Sequence, residues 1–173
     1  MPLAPCPSTA APIGQFRPPS NPEADFGSAV HACLEWMSEG VPEATGDTVR
    51  KLTTSYGLEI ETAERVAAAA RRILTIPELA AAFDPACYRR AHNEMEFLDG
   101  AGGTFRIDRL VEFSEEIWLL DYKTGGLDEP DPARRALPYR EQIEGYRAAA
   151  RQLYPGRPVR AALVFADGGV WWM

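Results

Sequence analysis

The sequence is poor in the features that mark membrane, secreted and disulfide-bonded proteins. Its 173 residues contain no apolar run near the roughly 18 residues that a membrane-spanning helix needs. The first residues lack the basic start and the apolar core of a secretory signal. Three widely spaced cysteines predict reduced thiols in a cytoplasmic protein, and they cannot alone form a four-cysteine zinc or iron–sulfur site.

Positive charge, and lysine above all, is also scarce. The chain carries 18 basic and 25 acidic residues, a net charge of −7. This balance argues against a protein that coats nucleic acid through a basic surface, but not against an enzyme whose carboxylates hold cations near a phosphate. The only lysines are Lys51 and Lys123, so each is a candidate for a specific role. The length predicts about one domain.

The N-terminal part divides into a tail and a helical region. Residues 1–22 contain seven of the 15 prolines and little apolar periodicity, which predicts a proline-rich tail or linker ahead of a folded domain over 23–173. Asn21 is predicted to cap a first helix that ends near Gly40. Residues 43–83 are predicted to form a helical insert, whose first helix is capped by Asp47.

From residue 89 onward the pattern becomes strand-like. It predicts strands over 89–97, 104–113, 117–123, 159–165 and 170–172, a long loop over 125–138 and a helix over 139–154. The predicted order is therefore a helix, a helical insert, three antiparallel strands, a crossover helix and a strand. This order is typical of an α/β fold.

The most informative side chains lie on two of these strands. Asp121 and Lys123 are two residues apart, so they share one face of their strand. If this strand pairs with its predecessor as a hairpin, Asp108 can face Asp121. The alternative is a solvated strand with alternating charges, but an acid and a lysine that end an otherwise apolar strand are costly to bury without a purpose.

Paired carboxylates beside a lysine are suited to phosphodiester hydrolysis. Two carboxylates on one face repel each other unless a cation or a proton joins them. Mg²⁺ prefers oxygen ligands and binds through one or two carboxylates together with a substrate phosphate. The compact charge of a nearby lysine can stabilise the phosphate or orient the attacking water. The pattern therefore predicts a Mg²⁺ site formed by Asp108 and Asp121, with Lys123 beside it.

Five short motifs follow one another between residues 26 and 166. They are Gly27-Ser28-Ala29-Val30-His31-Ala32-Cys33-Leu34-Glu35, Asn93-Glu94-Met95-Glu96-Phe97, Ile107-Asp108-Arg109-Leu110, Asp121-Tyr122-Lys123-Thr124-Gly125 and Gln142-Ile143-Glu144-Gly145-Tyr146. In this order and spacing they resemble the motifs of the RecB-type PD-(D/E)xK nucleases. The closest resemblance is to the C-terminal nuclease domains of RecB and AddA helicase–nucleases. It implies a restriction-endonuclease-like core with the helical segment inserted.

The resemblance also implies roles for individual residues. The implied metal ligands are His31, Glu94, Asp108 and Asp121, with the role of Glu94 the least defined. The implied catalytic residues are Asp108, Asp121, Lys123, Gln142 and Tyr146.

The residues alone support part of this assignment and leave part of it open. Gln142 and Tyr146 are four apart and share a helix face, where an amide and a phenol can contact a phosphate or position Lys123. The alternative is a helix surface that packs on the sheet. A lone histidine beside an apolar helix face, such as His31, is more often a buried, hydrogen-bonded residue than a ligand. Its ligand role rests on the resemblance.

The implied activity is a Mg²⁺-dependent exodeoxyribonuclease, with Mn²⁺ as a substitute, that acts on DNA ends in recombination and repair in a bacterial cytoplasm. The sequence lacks a phosphate-binding loop for ATP and the cysteines of an iron–sulfur cluster. The implied partners are therefore DNA and a helicase motor, in cis or in trans, with no membrane; the proline-rich start would then be the linker from such a motor. The alternative is a catalytically silent relative that serves as a scaffold or DNA-binding module.

Overall fold

The computed structural model describes residues 21–39, 45–98 and 104–173. The predicted tail, except for its last two residues, lies outside this part of the chain, as do Gly40 and residues 99–103. None of the helices in the described ranges is long and apolar enough to cross a membrane.

Helices form the N-terminal part of the described chain. Their bounds are α1 Pro22–Glu39, α2 Thr45–Tyr56, α3 Ile60–Leu74 and α4 Ala80–Phe83, with a short 3-10 turn Pro77–Leu79 before α4. The predicted cap of α1 is confirmed, since Asn21 Oδ1 accepts the Glu23 N–H at 3.1 Å. The predicted cap of α2 is wrong. Asp47 lies within the first turn of that helix, where its charge still favours the helix dipole.

The rest of the chain forms a five-stranded sheet and the helices beside it. The strands are β1 Arg90–Leu98, β2 Thr104–Glu112, β3 Ile117–Lys123, β4 Val159–Phe165 and β5 Val170–Trp172. Helix α6 spans Arg140–Leu153. The predicted loop over 125–138 contains a short helix α5, Pro132–Arg135, and a 3-10 turn, Leu137–Tyr139. Asp131 begins α5 by accepting the Ala133 N–H, a cap that the prediction missed.

The strands lie in the order β1-β2-β3-β4-β5. The first three are antiparallel, and β3 pairs with β4 in parallel after the crossover through α6. The predicted α/β architecture is therefore confirmed, and β5 extends it as an antiparallel strand beside β4.

The two faces of the sheet bury two separate apolar clusters. Helices α1 to α4 cover one face, where Leu120 and Tyr122 of β3 are buried. Helix α6 covers the other, where Ile117 and Leu119 are buried. The apolar run of β3 thus serves both layers, as expected for a central strand. The same alternation predicts that Asp121 and Lys123 lie toward α6.

Candidate metal centre and active site

The candidate site lies where β2 and β3 separate. Their paired register runs from Glu112 with Ile117 to Arg109 with Leu120. At the next position the Tyr122 N–H donates to a side chain in place of the backbone of β2. Its acceptor is Asp108 Oδ2, at 2.6 Å. This short bond engages one oxygen of Asp108, and the other oxygen lies 3.1 Å from His31 Nδ1.

Strand β1 contributes an irregular residue at the same level. Glu94 has a φ of +52°, in the left-handed region that residues with a Cβ rarely adopt. Its neighbours Asn93 and Met95 would share a face in a regular strand, yet Asn93 hydrogen-bonds Ser38 of α1 while Met95 packs on the α6 side. The chain therefore changes faces at Glu94. Such local strain is often kept at functional sites.

Strand β2 changes faces at the paired position. Arg109 donates to the Ala82 carbonyl on the helical-insert side, whereas Ile107, two residues earlier, is buried on the α6 side. Asp108 is thus the turning point of β2 as Glu94 is of β1. Together the two irregularities bring both carboxylates to the point between Asp108 and Tyr122 where β2 and β3 separate, which we call the fork. The two helical layers that cover the sheet meet at this point.

Helix α1 brings His31 to the fork from the face of the sheet opposite to α6. Its Nδ1 lies 3.1 Å from Asp108 Oδ1, and its Nε2 lies 3.1 Å from the backbone oxygen of Tyr122. One turn earlier, the missing side chain of Gly27 permits this approach, because a Cβ there would lie 3.0 Å from Thr124 Oγ1.

His31, Glu94 and Asp108 have ligand atoms that all lie within 4.8 Å of one another. One imidazole nitrogen and two carboxylates form a donor set that suits a divalent cation. Oxygen ligands suit Mg²⁺, and the nitrogen suits Mn²⁺ better. The Tyr122 carbonyl oxygen lies beside this group, against His31 Nε2. His31, Glu94 and Asp108 therefore fit a divalent cation, whereas Asp121, the other ligand predicted from the sequence, is not part of this group of three.

Arg106 flanks this group on its solvent side. Its Nε lies 2.8 Å from Glu94 Oε2, and 60% of its side chain is exposed. Both residues line a groove of about 470 Å³ that reaches His31 and runs along α1. The sequence analysis did not single out Arg106, although it stands two residues before Asp108.

On the other side of the fork, four side chains form a connected row. Lys123 Nζ lies 2.6 Å from Asp121 Oδ2 and donates to Gln142 Oε1 at 3.3 Å. Gln142 in turn donates to the Tyr146 hydroxyl at 2.6 Å. Lys123 also lies 4.5 Å from the centre of the Tyr139 ring, a contact that the sequence analysis did not anticipate. Helix α6 therefore holds the lysine from the face opposite to α1.

The electrostatics of the site reflect crowded carboxylates. Burial, with the charge of Asp108, raises the pKa of Asp121 to about 6, despite the opposing effect of Lys123. Burial and Asp108 also raise the pKa of Glu94. Burial alone would lower the pKa of His31, but Asp108, Asp121 and Glu94 outweigh it and the pKa is raised.

A cation or protons must therefore balance this group. Both nitrogens of His31 face oxygen acceptors, so an imidazolium donates to Asp108 and to Tyr122 at once. Binding of a metal through one of these nitrogens would displace the proton on that nitrogen. Tyr146 behaves differently, because burial and the charge of Asp121 raise its pKa to about 12 and keep the phenol protonated.

His92 and Arg135 lie apart from this centre. His92 is exposed and lies 3.5 Å from Glu112. Arg135 of α5 is buried and its Nη1 lies 2.7 Å from Asp167 Oδ2, so its charge is engaged within the fold. Its neighbour Arg134 is exposed.

A family model, but no curated protein, supports this architecture. No curated protein matches the chain significantly. The solved structure described as "Crystal structure of SSO0001" is similar over 85% of this chain and 76% of that chain, with 14% sequence identity and a TM-score of 0.32. The family model described as the PD-(D/E)XK nuclease superfamily matches residues 10–170, which include the fork and all of the candidate site residues. The chain belongs to the PD-(D/E)XK nuclease superfamily.

Proposed function

We propose that the chain is a metal-dependent DNA nuclease domain that hydrolyses phosphodiester bonds at DNA ends. The observation that carries this proposal is the placement of Lys123 between Asp121 and Gln142, beside a fork that gathers His31 and Asp108. A scaffold protein would have no need to place a lysine and crowded carboxylates together, because their burial and mutual repulsion cost stability.

His31, Glu94, Asp108 and Asp121 would hold the divalent ion, Mg²⁺ with Mn²⁺ as a substitute. When bound, the ion would supply Lewis-acid stabilisation of the negative charge that develops on the phosphate.

The protein's own residues position the reacting groups. Lys123 donates hydrogen bonds from the α6 side, to the phosphate oxygens and to the water that attacks phosphorus. Gln142 fixes the lysine by accepting one of its hydrogen bonds. The phenol of Tyr146 accepts from Gln142 and still has its own proton to donate. In the reaction, water adds to phosphorus and loses a proton to solvent, the ester bond to the leaving oxygen breaks, and that oxygen gains a proton from solvent.

The lysines supply a matched pair for the test of this function. Lys123 lies 4.5 Å from the Tyr139 ring centre, and Lys51 lies 3.9 Å from that of Trp36, so each is a lysine over an aromatic ring. With Mg²⁺ or Mn²⁺, we expect the wild type and Lys51→Met to degrade linear DNA and Lys123→Met to be inactive. Binding without cleavage by the wild type would support the silent module instead.

The specificity for ends is tested on matched substrates. Linear and covalently closed circular forms of one DNA molecule contain the same sequence and differ in the presence of ends. We expect degradation of the linear form only. Equal rates of degradation of both forms would show that the protein is an endonuclease and that its activity does not depend on DNA ends.

The proposed setting is a RecB/AddA-like helicase–nuclease in recombination and double-strand-break repair, with the motor in cis or in trans. The net charge of −7 supports it, because an acidic domain gains little from counterion release on DNA and depends on delivery by a partner. A titration of the isolated chain with DNA, in Ca²⁺ to block cleavage, tests this point. We expect weak binding with a shallow salt dependence. Submicromolar DNA binding near physiological salt, with a steep dependence of affinity on salt concentration, would show that the domain binds DNA without delivery by a motor.

A further inference from the structure

A cavity of about 550 Å³ lies next to the candidate catalytic lysine, between the end of β3 and the 3-10 turn before α6. The Tyr139 ring forms part of its wall, and the same ring lies 4.5 Å from Lys123 Nζ. The cavity and the lysine therefore adjoin the same aromatic side chain. Its volume is in the range of pockets that bind small molecules.

The wall of the cavity is largely apolar and open. Leu137, Pro138 and Tyr139 supply side chains along one side, and Gly125 and Gly126 supply bare backbone along another. A Cβ built at either glycine would meet no atom within 4 Å, so both face open space. Leu137 is 56% exposed. A single exposed leucine is ordinary, but one beside an aromatic ring and a proline in a concavity forms a surface for a flat ligand.

The segment that forms the cavity is anchored to the sheet. Arg135 is buried beneath it, donates to the Glu129 carbonyl and lies 2.7 Å from Asp167 in the turn between β4 and β5. Its guanidinium also lies 5.1 Å from the centre of the Phe165 ring. These contacts hold the shape of the wall before a ligand binds, which lowers the entropic cost of binding.

Charged side chains of both signs lie at the rim of the cavity. Glu129 lines it together with Arg134, which is 71% exposed and whose contacts with Glu129 and Asp131 are long, at 3.8 and 4.0 Å. Surface ion pairs of this kind contribute little, so the guanidinium is available to a phosphate oxygen. Lys123 provides a second cation close to the Tyr139 ring. A base between two phosphates can place one phosphate near each of these cations.

We propose that the cavity binds the base of the nucleotide adjoining the scissile phosphodiester, with the base stacked against Tyr139 and Leu137 and its outer phosphate near Arg134. This inference rests on the proposed nuclease function. Stacking on an aromatic or apolar surface is tolerant of sequence, because every base has a flat face. The base must be unpaired to stack on these side chains, because a paired base is already stacked within its duplex.

Two exposed leucines allow a matched test. Leu137 is 56% exposed in the cavity, and Leu153 is 55% exposed at the end of α6. Wild type, Leu137→Ser and Leu153→Ser are compared on an end-labelled single-stranded oligonucleotide and on versions with one abasic position on either side of a given phosphodiester. Cleavage at that bond is measured with Mn²⁺, and circular dichroism confirms that each variant is folded.

We expect an abasic position on one side of the bond to slow wild-type cleavage about tenfold, the effect of losing one stacked base. Leu137→Ser should slow cleavage of the intact oligonucleotide about fivefold and that of the abasic one less than twofold. Leu153→Ser should match the wild type on both. Equal sensitivity of all three proteins to the abasic position, or no sensitivity in the wild type, overturns the proposal.

A binding measurement separates this proposal from the nuclease function. The probe is an oligonucleotide with 2-aminopurine in place of that base, titrated in Ca²⁺, because stacking quenches its fluorescence. Quenching by the wild type and by Leu153→Ser, but not by Leu137→Ser, supports the cavity even if no DNA is cleaved. If the wild type cleaves the intact oligonucleotide but shows neither quenching nor sensitivity to the abasic position, the proposal that the cavity binds a base is rejected, and the proposed nuclease function is retained.

Discussion

Replacement of Asp121 by asparagine should stabilise the metal-free protein at neutral pH. The carboxyl is buried against Asp108, and its pKa is raised from 3.8 to about 6. The two values differ by about 2, and each pKa unit corresponds to about 1.36 kcal/mol, so ionisation of Asp121 costs about 3 kcal/mol in the folded state. This cost already includes the attraction of Lys123, which lowers the pKa. Asparagine keeps the shape and removes the charge.

The sign of the pH dependence follows from the raised pKa. A folded-state pKa above the unfolded value gives stability that is fully present below pH 3.8 and is lost as the pH rises through about 6. At pH 4 most of the Asp121 side chain is protonated in the folded state, so wild type and Asp121→Asn should be similar in free energy of unfolding. The difference should grow between pH 4 and 6 and reach a plateau of about 3 kcal/mol in favour of the variant by pH 7.

Urea unfolding in EDTA at a series of pH values measures this difference. Asp128→Asn, in the exposed part of the loop after β3, controls for a generic Asp-to-Asn effect. Mn²⁺ should then stabilise the wild type and have less effect on Asp121→Asn, because ligand binding adds stability only where the site is intact. A variant that is less stable than the wild type at pH 8, or a difference that does not change with pH, would refute the account of crowded carboxylates.

Three further predictions concern the α1 side of the fork. The His31 imidazolium must lose one proton to bind metal through a ring nitrogen, so Mn²⁺ affinity measured by calorimetry should fall as the pH drops through its raised pKa, and His31→Ala should weaken that dependence to the part that Asp121 and Glu94 contribute. Arg106→Ala should bind Mn²⁺ a few-fold more tightly, because Glu94 loses a competing cation; weaker binding would show instead that Arg106 holds Glu94 in place. Gly27→Ala should lower Mn²⁺ affinity by pushing α1 away from Thr124 Oγ1, and a second change, Thr124→Ala, should restore it; no restoration would reject that contact as the cause.

Much of the sheet could be predicted because its signals are local. The bounds of β3 and β4 follow from apolar runs that end at turn residues, and the structure has the same bounds. The alternation along β3 correctly placed Asp121 and Lys123 on one face. The missed helix α5 shows the limit of such signals, since Asp131-Pro132 is a good helix start but the loop depends on the distant ion pair of Arg135 with Asp167.

The fork itself could not be predicted from alternation, because both of its carboxylates lie where alternation fails. The glutamate residue type gives no indication of a positive φ. The hydrogen bond that Asp108 accepts from the Tyr122 N–H joins two residues that are 14 positions apart in sequence and lie on different strands. Position in a motif located these residues, whereas the structure shows how they reach one point. Both strands change faces at the same level.

This change of faces explains how one site draws on both layers. A regular sheet separates its two faces, so a residue of α1 and a residue of α6 would lie on opposite sides of continuous backbone. At the fork Asp108 replaces the backbone partner of Tyr122, and the space between β2 and β3 opens to both layers. His31 enters from one layer, and Gln142 reaches Lys123 from the other. His31 and Gln142 are thereby carried by separate helices, while the carboxylates and Lys123 lie on the strands between them, so substitutions on α1 should alter metal affinity and substitutions on α6 should alter the positioning of Lys123.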